Sequence, residues 1–332
     1  MLTFTALAWG AMFTIAKSAL GSVDAYHLSA LRYGPAALVM LAILAVAEGR
    51  RALRLEGHGL RIAIYGTLGF AGFTILGFLG IAGSTPEHAA IIVALMPLVT
   101  TLMNWLLRGR EPSRATLAAT LVALAGVVLV VTRGHLPLEG SASWHGDAMV
   151  FAGVVCWVVY TMGAADLPQY SPLRYTALSM AFGAVSIVAI ALVATAAGVA
   201  RTPALADIAA MWQEIAYLAL VAGVAAVLAW NAGIGALGPA NGVLFINVVP
   251  ITAFAIGIAQ GHRFGAAEVA GAAMTLAALV VTNLMGRHQG AAARRGGAAP
   301  SIRAARAVIG APRRCVATAP SPAAPGASAC RV

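Results

Sequence analysis

Glu87 and His88 stand side by side directly after Thr85-Pro86, at the start of a long apolar run. Imidazole titrates near neutrality, and a carboxylate beside it can trade protons with it. The pair therefore reads as a proton-coupling or solute-contacting site. Thr85 to His88 also make a good helix start, with Thr85 as N-cap, Pro86 at the first helical position and an acid in the first turn. The two roles are compatible, because a cap at the mouth of a cavity can also gate it. Lys17, the single lysine, lies near the end of the first apolar run. It either snorkels to an interface or lines a cavity as a cation. Arg32 lies a turn and a half inside the second run, a depth that favours a cavity or an ion pair with Asp24 or Glu87.

The uncharged candidates are aromatic, amide and proline side chains. Trp9, Phe13, Trp157 and Tyr160 can line a cavity for a flat or amphipathic solute, or pack between helices. Asn231, Asn241 and Asn247 can hydrogen-bond a solute or a neighbouring helix. Pro97 and Pro250 fall within apolar runs, where each removes a backbone hydrogen bond and kinks its helix. Both are hinge candidates. Gly66, Gly69 and Gly72 follow Ala63 as a small-residue stripe suited to close helix approach. Cys156 reads as a small apolar packing residue. No Gly-Lys-Ser/Thr phosphate loop occurs and no histidine pairs with an acid at metal-binding spacing, so neither cofactor nor metal is expected.

Apolar helices must position these groups. Of 332 residues, 61% are hydrophobic and 10% charged, against about 25% charged in a soluble domain. Too few polar residues remain to coat a water-facing surface, which excludes a soluble enzyme or a disordered chain. Three cysteines, at 156, 315 and 330, are too scattered for a disulfide framework or a metal cluster. A bilayer core takes roughly 20 apolar helical residues. Ten such runs occur, at 2–20, 27–47, 60–82, 86–107, 114–132, 147–165, 173–199, 214–237, 239–260 and 265–286. The first begins almost at Met1 with no basic residue ahead of it, which argues against a cleaved signal peptide. An all-α polytopic membrane protein with ten transmembrane helices is expected.

Short loops assign the orientation. Arg50, Arg51, Arg54 and Arg61 lie between runs two and three, and Arg108, Arg110 and Arg114 between runs four and five. The connections after runs one and three carry no Lys or Arg. The positive-inside rule then puts both termini in the cytoplasm. The net charge of +10 comes mainly from residues 287–332, with eight arginines and no acid; residues 1–286 hold 13 basic and 11 acidic groups. Rich in Ala, Pro and Gly, this tail reads as disordered and basic, facing anionic lipid headgroups rather than nucleic acid.

The chain also repeats itself. Ala8-Trp9-Gly10-Ala11-Met12-Phe13 matches Val155-Cys156-Trp157-Val158-Val159-Tyr160, and Thr85-Pro86-Glu87-His88-Ala89 through Met96-Pro97-Leu98 matches Gly238-Pro239-Ala240-Asn241-Gly242 through Val249-Pro250-Ile251. The offsets are 147 and 153, so each unit holds five runs. An odd number inverts the second unit in the membrane, the pattern of two inverted five-helix repeats with a site between them near the midplane. The units are 1–133 and 147–286, joined by 134–146 and followed by the tail.

Trp9-Gly10-x-x-Phe13-x-x-x-Lys17, Leu31-Arg32-Tyr33 and Pro86-Glu87-His88-Ala89-Ala90-Ile91-Ile92 leading to Met96-Pro97-Leu98 resemble EamA-type proteins of the drug/metabolite transporter superfamily. So do Trp105 to Pro112, Leu237 to Gly242 and Val249-Pro250. The resemblance covers about residues 2–286. One departure is Gly261-His262-Arg263-Phe264, where the second unit usually ends its fourth span with an acidic turn. The resemblance implies a non-enzymatic carrier that exports a metabolite or drug-like solute across the inner membrane. Alternating access driven by the solute gradient or by protons is the expected mechanism. An importer, a membrane scaffold and an intramembrane enzyme are the alternatives. The expected partners are a small-molecule substrate and membrane lipid; a homodimer is compatible with such a bundle, but no residue pattern specifies one.

Overall fold

The computed structural model describes residues 1–109, 111–134, 143–237 and 243–296. Among them all regular structure is helical. The first helices are α1 (Leu2–Ala19), α2 (Ala25–Ala47) and α3 (Gly59–Gly83). Next come α4 (Pro86–Ala94), α5 (Met96–Arg108), α6 (Arg114–Thr132) and α7 (Ser143–Gly163). The remainder are α8 (Pro172–Ala196), α9 (Leu205–Ala210), α10 (Trp212–Leu237), α11 (Val248–Ala259) and α12 (Ala266–Gly296). Residues 1–287 form one compact unit, and the second, 288–332, is described only through the end of α12. Most of the expected tail, from residue 297 on, lies outside the described residues.

Helix starts are fixed by side chains, because backbone groups in a bilayer must find partners within the chain. Asp24 accepts from the N–H groups of Tyr26 and His27 at 2.9 and 3.0 Å. Thr85 accepts from His88 at 3.3 Å, Ser113 from Thr116 at 3.1 Å and Ser171 from Arg174 at 2.9 Å. The cap expected at Thr85, with Pro86 behind it, is therefore present.

Among the described residues, six helices are long and apolar enough to cross a membrane: α2, α3, α6, α8, α10 and Trp144–Asp166, which takes in all of α7 after its first residue. Together α4 and α5 make a seventh, bent by 43°. Phe245–Ala259 and Ala266–Val281 are shorter apolar stretches. The two prolines act differently from mid-helix kinks. The chain breaks at Leu95, and Pro97 is the second residue of the renewed helix α5. Pro250 is the third residue of α11, after a 3₁₀ stretch at Val243–Asn247. Both fall in a first turn, where a missing N–H has no intrahelical partner to lose.

The most extensive packing joins early helices to late ones: α3 with α7, α2 with α8, and α1 with α10 and α11. The small-residue stripe serves such a contact. Gly66 lies under the Ser179 carbonyl of α8, Gly69 under the Tyr160 ring and Gly72 against Cys156 of α7. Large apolar side chains such as Leu38, Val46, Leu121, Val185 and Leu192 are exposed on the outside of the bundle, as suits contact with lipid.

Candidate functional site

At the end of the bundle where α1, α3, α6 and α11 finish and α4 and α12 begin, a cavity of about 640 Å³ opens. That is within the ordinary range for small-molecule sites. Its wall comes from Thr14, Lys17 and Ser18, from Ser84 to Glu87, and from Arg133, Gln260, His262, Arg263, Phe264 and Glu268. Lys17 both lines it and is anchored: Nζ donates to the carbonyls of Ile81, Ala82 and Ser84 at 2.7, 2.9 and 2.8 Å. An ammonium has three protons, and here each is spent on the unsatisfied carbonyl end of α3.

Glu87 is 3% exposed, with His262 Nδ1 3.4 Å from Oε1. Gly257 of α11 faces that carboxylate so closely that a Cβ there would strike it. Glu268 bridges to Arg133 at 3.3 Å and accepts from the Gly265 N–H at 2.8 Å, which starts α12. The wall thus carries both signs of charge. His88, one residue after Glu87, reaches α7 instead: its Nδ1 lies 3.3 Å from Asp147 Oδ2. Ser84 donates to the other Asp147 oxygen at 2.5 Å. His88 and Asp147 are both buried, and His88 Nε2 has no hydrogen-bond partner.

Deeper along α1, α3 and α4 a second cavity of about 10 Å³ is lined by Phe13, Arg32, Phe73, Thr74, Phe78 and Val150, among others. Arg32 forms no ion pair with Asp24 or Glu87. Asp24 spends its oxygens on the α2 cap and on His27 Nδ1 at 2.7 Å, and Glu87 faces His262. Arg32 instead lies over the Tyr33 and Phe78 rings, 4.7 and 5.7 Å from their centroids.

The other predicted residues are not among those lining either cavity, although Trp157 packs on Phe73 of the smaller one at 5.1 Å. Tyr160 stacks on Tyr175 at 5.1 Å, and Trp157 and Phe70 pack beside it. Trp9 packs on Trp230 at 5.4 Å and donates to the Ala222 carbonyl at 3.1 Å. Asn231 reaches Thr176 at 3.5 Å, Asn247 is buried with both amide atoms unpartnered, and Asn241 lies outside the described residues. Of Trp9, Phe13, Arg32 and Tyr160, Phe13 and Arg32 share the wall of the small cavity. Arg133, Gln260 and Glu268 carry no sequence pattern that marks them as site residues, and His262 stands out in the sequence only where an acid is missing. Asp147 did leave a signal, being a carboxylate at the very start of an apolar run. Among the described residues, no three His, Cys, Asp or Glu side chains converge on a metal position.

The opposite end of the bundle is latched. Arg174, at the start of α8, donates to the carbonyls of Ala52 and Arg54 at 2.8 and 2.7 Å and pairs with Glu56 at 2.9 Å. Tyr170 donates to Leu55 at 2.7 Å and Ser171 to Glu48 at 2.5 Å. The α2–α3 and α7–α8 connections are thereby held together.

The model of the EamA-like transporter family matches residues 1–132 and again 144–284. The uncharacterized transporter YrdR of Bacillus subtilis is 33% identical over 288 residues, 85% of this chain and 90% of its own. YyaM of the same organism, also an uncharacterized transporter, is 31% identical over 80% of this chain and 87% of its own. A protein of Streptantibioticus cattleyicolor named as a probable terminal-alkyne amino-acid exporter is 24% identical over 77% of this chain and 82% of its own. One solved crystal structure shares the fold, with a TM-score of 0.63 at 21% identity over 87% of this chain and 97% of its own. With its apolar helices and a cavity between them, this chain is a multi-pass membrane protein that belongs to the EamA-like transporter family.

Proposed function

We propose that this chain is a secondary transporter of the inner membrane that exports a small zwitterionic solute by alternating access, in ten crossings arranged as two inverted five-helix repeats. The observation that carries this is the contrast between the two ends of the bundle. Residues of the first unit (Lys17, Glu87, Arg133) and of the second (His262, Arg263, Glu268) face each other across an open cavity. At the far end the same two units are tied by Arg174 and Tyr170. The helix ends that frame the cavity belong to alternate crossings of a ten-span path, and the arginine loops put that face outside.

Several features support the inverted repeat: two separate matches to one family model, a π-helical stretch in the third run of each unit (Thr67–Gly72 and Tyr217–Ala225), and a proline after a helix break in the fourth. A wall bearing both charges suits a solute with both, and one relative is named as an amino-acid exporter. Protons couple to the cycle at Glu87 and His88, each of which pairs with the other unit, Glu87 with His262 and His88 with Asp147. A proton gained or lost there changes a contact between units and biases their two arrangements.

Flux of an amino-acid panel in proteoliposomes under an imposed pH gradient tests this. Saturable, gradient-driven flux is expected for the chain, and Glu87→Gln should reduce it by about tenfold or more, the scale of a lost proton-transfer or charge contact. Flux that survives in Glu87→Gln removes that residue from coupling, and no flux for any solute overturns the carrier assignment.

A further inference from the structure

We infer that Arg32 and Thr74 form a buried subsite for the carboxylate of the transported solute, one step below the outer cavity. This rests on the carrier assignment and adds to it the chemistry of one end of the solute. Arg32 is 3% exposed and Thr74 2% exposed. Withdrawing a guanidinium from water is costly unless a counter-charge and hydrogen bonds compensate. The ion pairs among the described residues involve Asp24, Asp147, Glu268, Glu56 and Glu87, and none includes Arg32. The Tyr33 and Phe78 rings offset part of that cost through their faces, but a ring face does not take up guanidinium protons the way an anion does. Tyr33 also hydrogen-bonds the guanidinium, but among the described residues Arg32 Nε and Thr74 Oγ1 both lack a hydrogen-bond partner, and both residues line the same small cavity.

The donor set defines the ligand. A guanidinium fork matches the two oxygens of a carboxylate, and a hydroxyl beside it adds a third hydrogen bond. Phe13, Phe73 and Val150 provide an apolar surround for the carbon attached to that carboxylate. At about 10 Å³ the space holds roughly one water in this state, so a solute enters as the helices part. The position fits a path through the protein. From Lys17 to Phe13 on α1 is about 6 Å of helix, and from Glu87 to Val93 on α4 about 9 Å. The small cavity therefore lies further along α1 and α4 than the large one, and Phe73 in its wall packs on Trp157 of the ring cluster at 5.1 Å.

Thermal unfolding of the purified full chain, followed by tryptophan fluorescence, tests the subsite with sodium propionate against sodium chloride at equal ionic strength. Propionate should raise the apparent Tm saturably by several degrees, and chloride should not. Arg32→Met and Thr74→Val should each abolish that rise. Without ligand, Arg32→Met should unfold at the wild-type temperature or above it, because an uncompensated buried charge has gone; a packing residue would give a lower temperature. Arg32→Lys keeps the charge without the fork, so it should fold and show a smaller rise. The proposal is overturned by an undiminished rise in Arg32→Met or Arg32→Lys, by no rise in the wild type, or by an equal rise with chloride. A propionate rise that requires Arg32 in a chain showing no flux leaves the subsite standing and removes the carrier assignment instead.

Discussion

At the end of the bundle where α1 and α11 finish, polar side chains face open space; at the end where α2 and α7 finish, they face one another. Both ends use the same residue types. Around the cavity, Arg263, Gln260 and Glu87 line a volume of about 640 Å³. At the latch, Arg174 is nearly buried and donates to two carbonyls of the α2–α3 connection. The difference lies in what the contacts enclose: the α2–α3 and α7–α8 connections close directly on one another, whereas Glu87–His262 and Arg133–Glu268 join helix ends around a cavity that stays open. A handful of hydrogen bonds, each worth about 1 kcal/mol net, holds the two connections together at the latch.

The largest effect should come from filling the open end. Gly257→Leu puts a side chain where the Glu87 carboxylate now lies. Flux should fall by about a hundredfold, the cost of misplacing a site group by an ångström or more, with helicity by circular dichroism unchanged. Flux near the wild-type level would mean that Glu87 is free to move. Releasing the shut end should have a smaller effect. Arg174→Ala removes two hydrogen bonds to carbonyls and the ion pair with half-exposed Glu56, a loss of about 2 kcal/mol. In a background with the native cysteines replaced, thiol labelling of Trp157→Cys from the side of the α2–α3 connection should speed up by roughly tenfold or more. An unchanged rate would show that Arg174 does not hold the end shut. Tyr170→Phe deletes only the hydrogen bond to the Leu55 carbonyl. The same labelling should rise about fivefold, in keeping with about 1 kcal/mol; a rise as large as that of Arg174→Ala would move the centre of the latch to Tyr170.

Much of this was legible from local sequence. The cap at Thr85-Pro86, the close approach at Gly66, Gly69 and Gly72, and the placing of Glu87 at a polar mouth all follow from short-range rules of helix termini and small-residue packing. The aromatic residues were not legible in the same way. Trp157 and Phe13 fit the same periodicity, yet one packs into a ring cluster and the other lines the small cavity beside Arg32. Which side of a helix faces a cavity depends on the neighbour it meets, and a uniformly apolar helix carries no stripe to reveal it.

The sequence by itself determined that this is a membrane protein of apolar helices, which family it resembles, and that its charge is concentrated toward the C-terminus. Those properties are sums over many residues, or patterns within one turn of helix, and they survive without any knowledge of packing. Only the tertiary structure decided that Glu87 meets His262 across 175 positions, that His88 meets Asp147, and that Arg32 meets no carboxylate among the described residues. Such pairings cost loop-closure entropy and are fixed by how α3 lies on α7 and α1 on α11. A linear pattern of types and spacings does not contain that information.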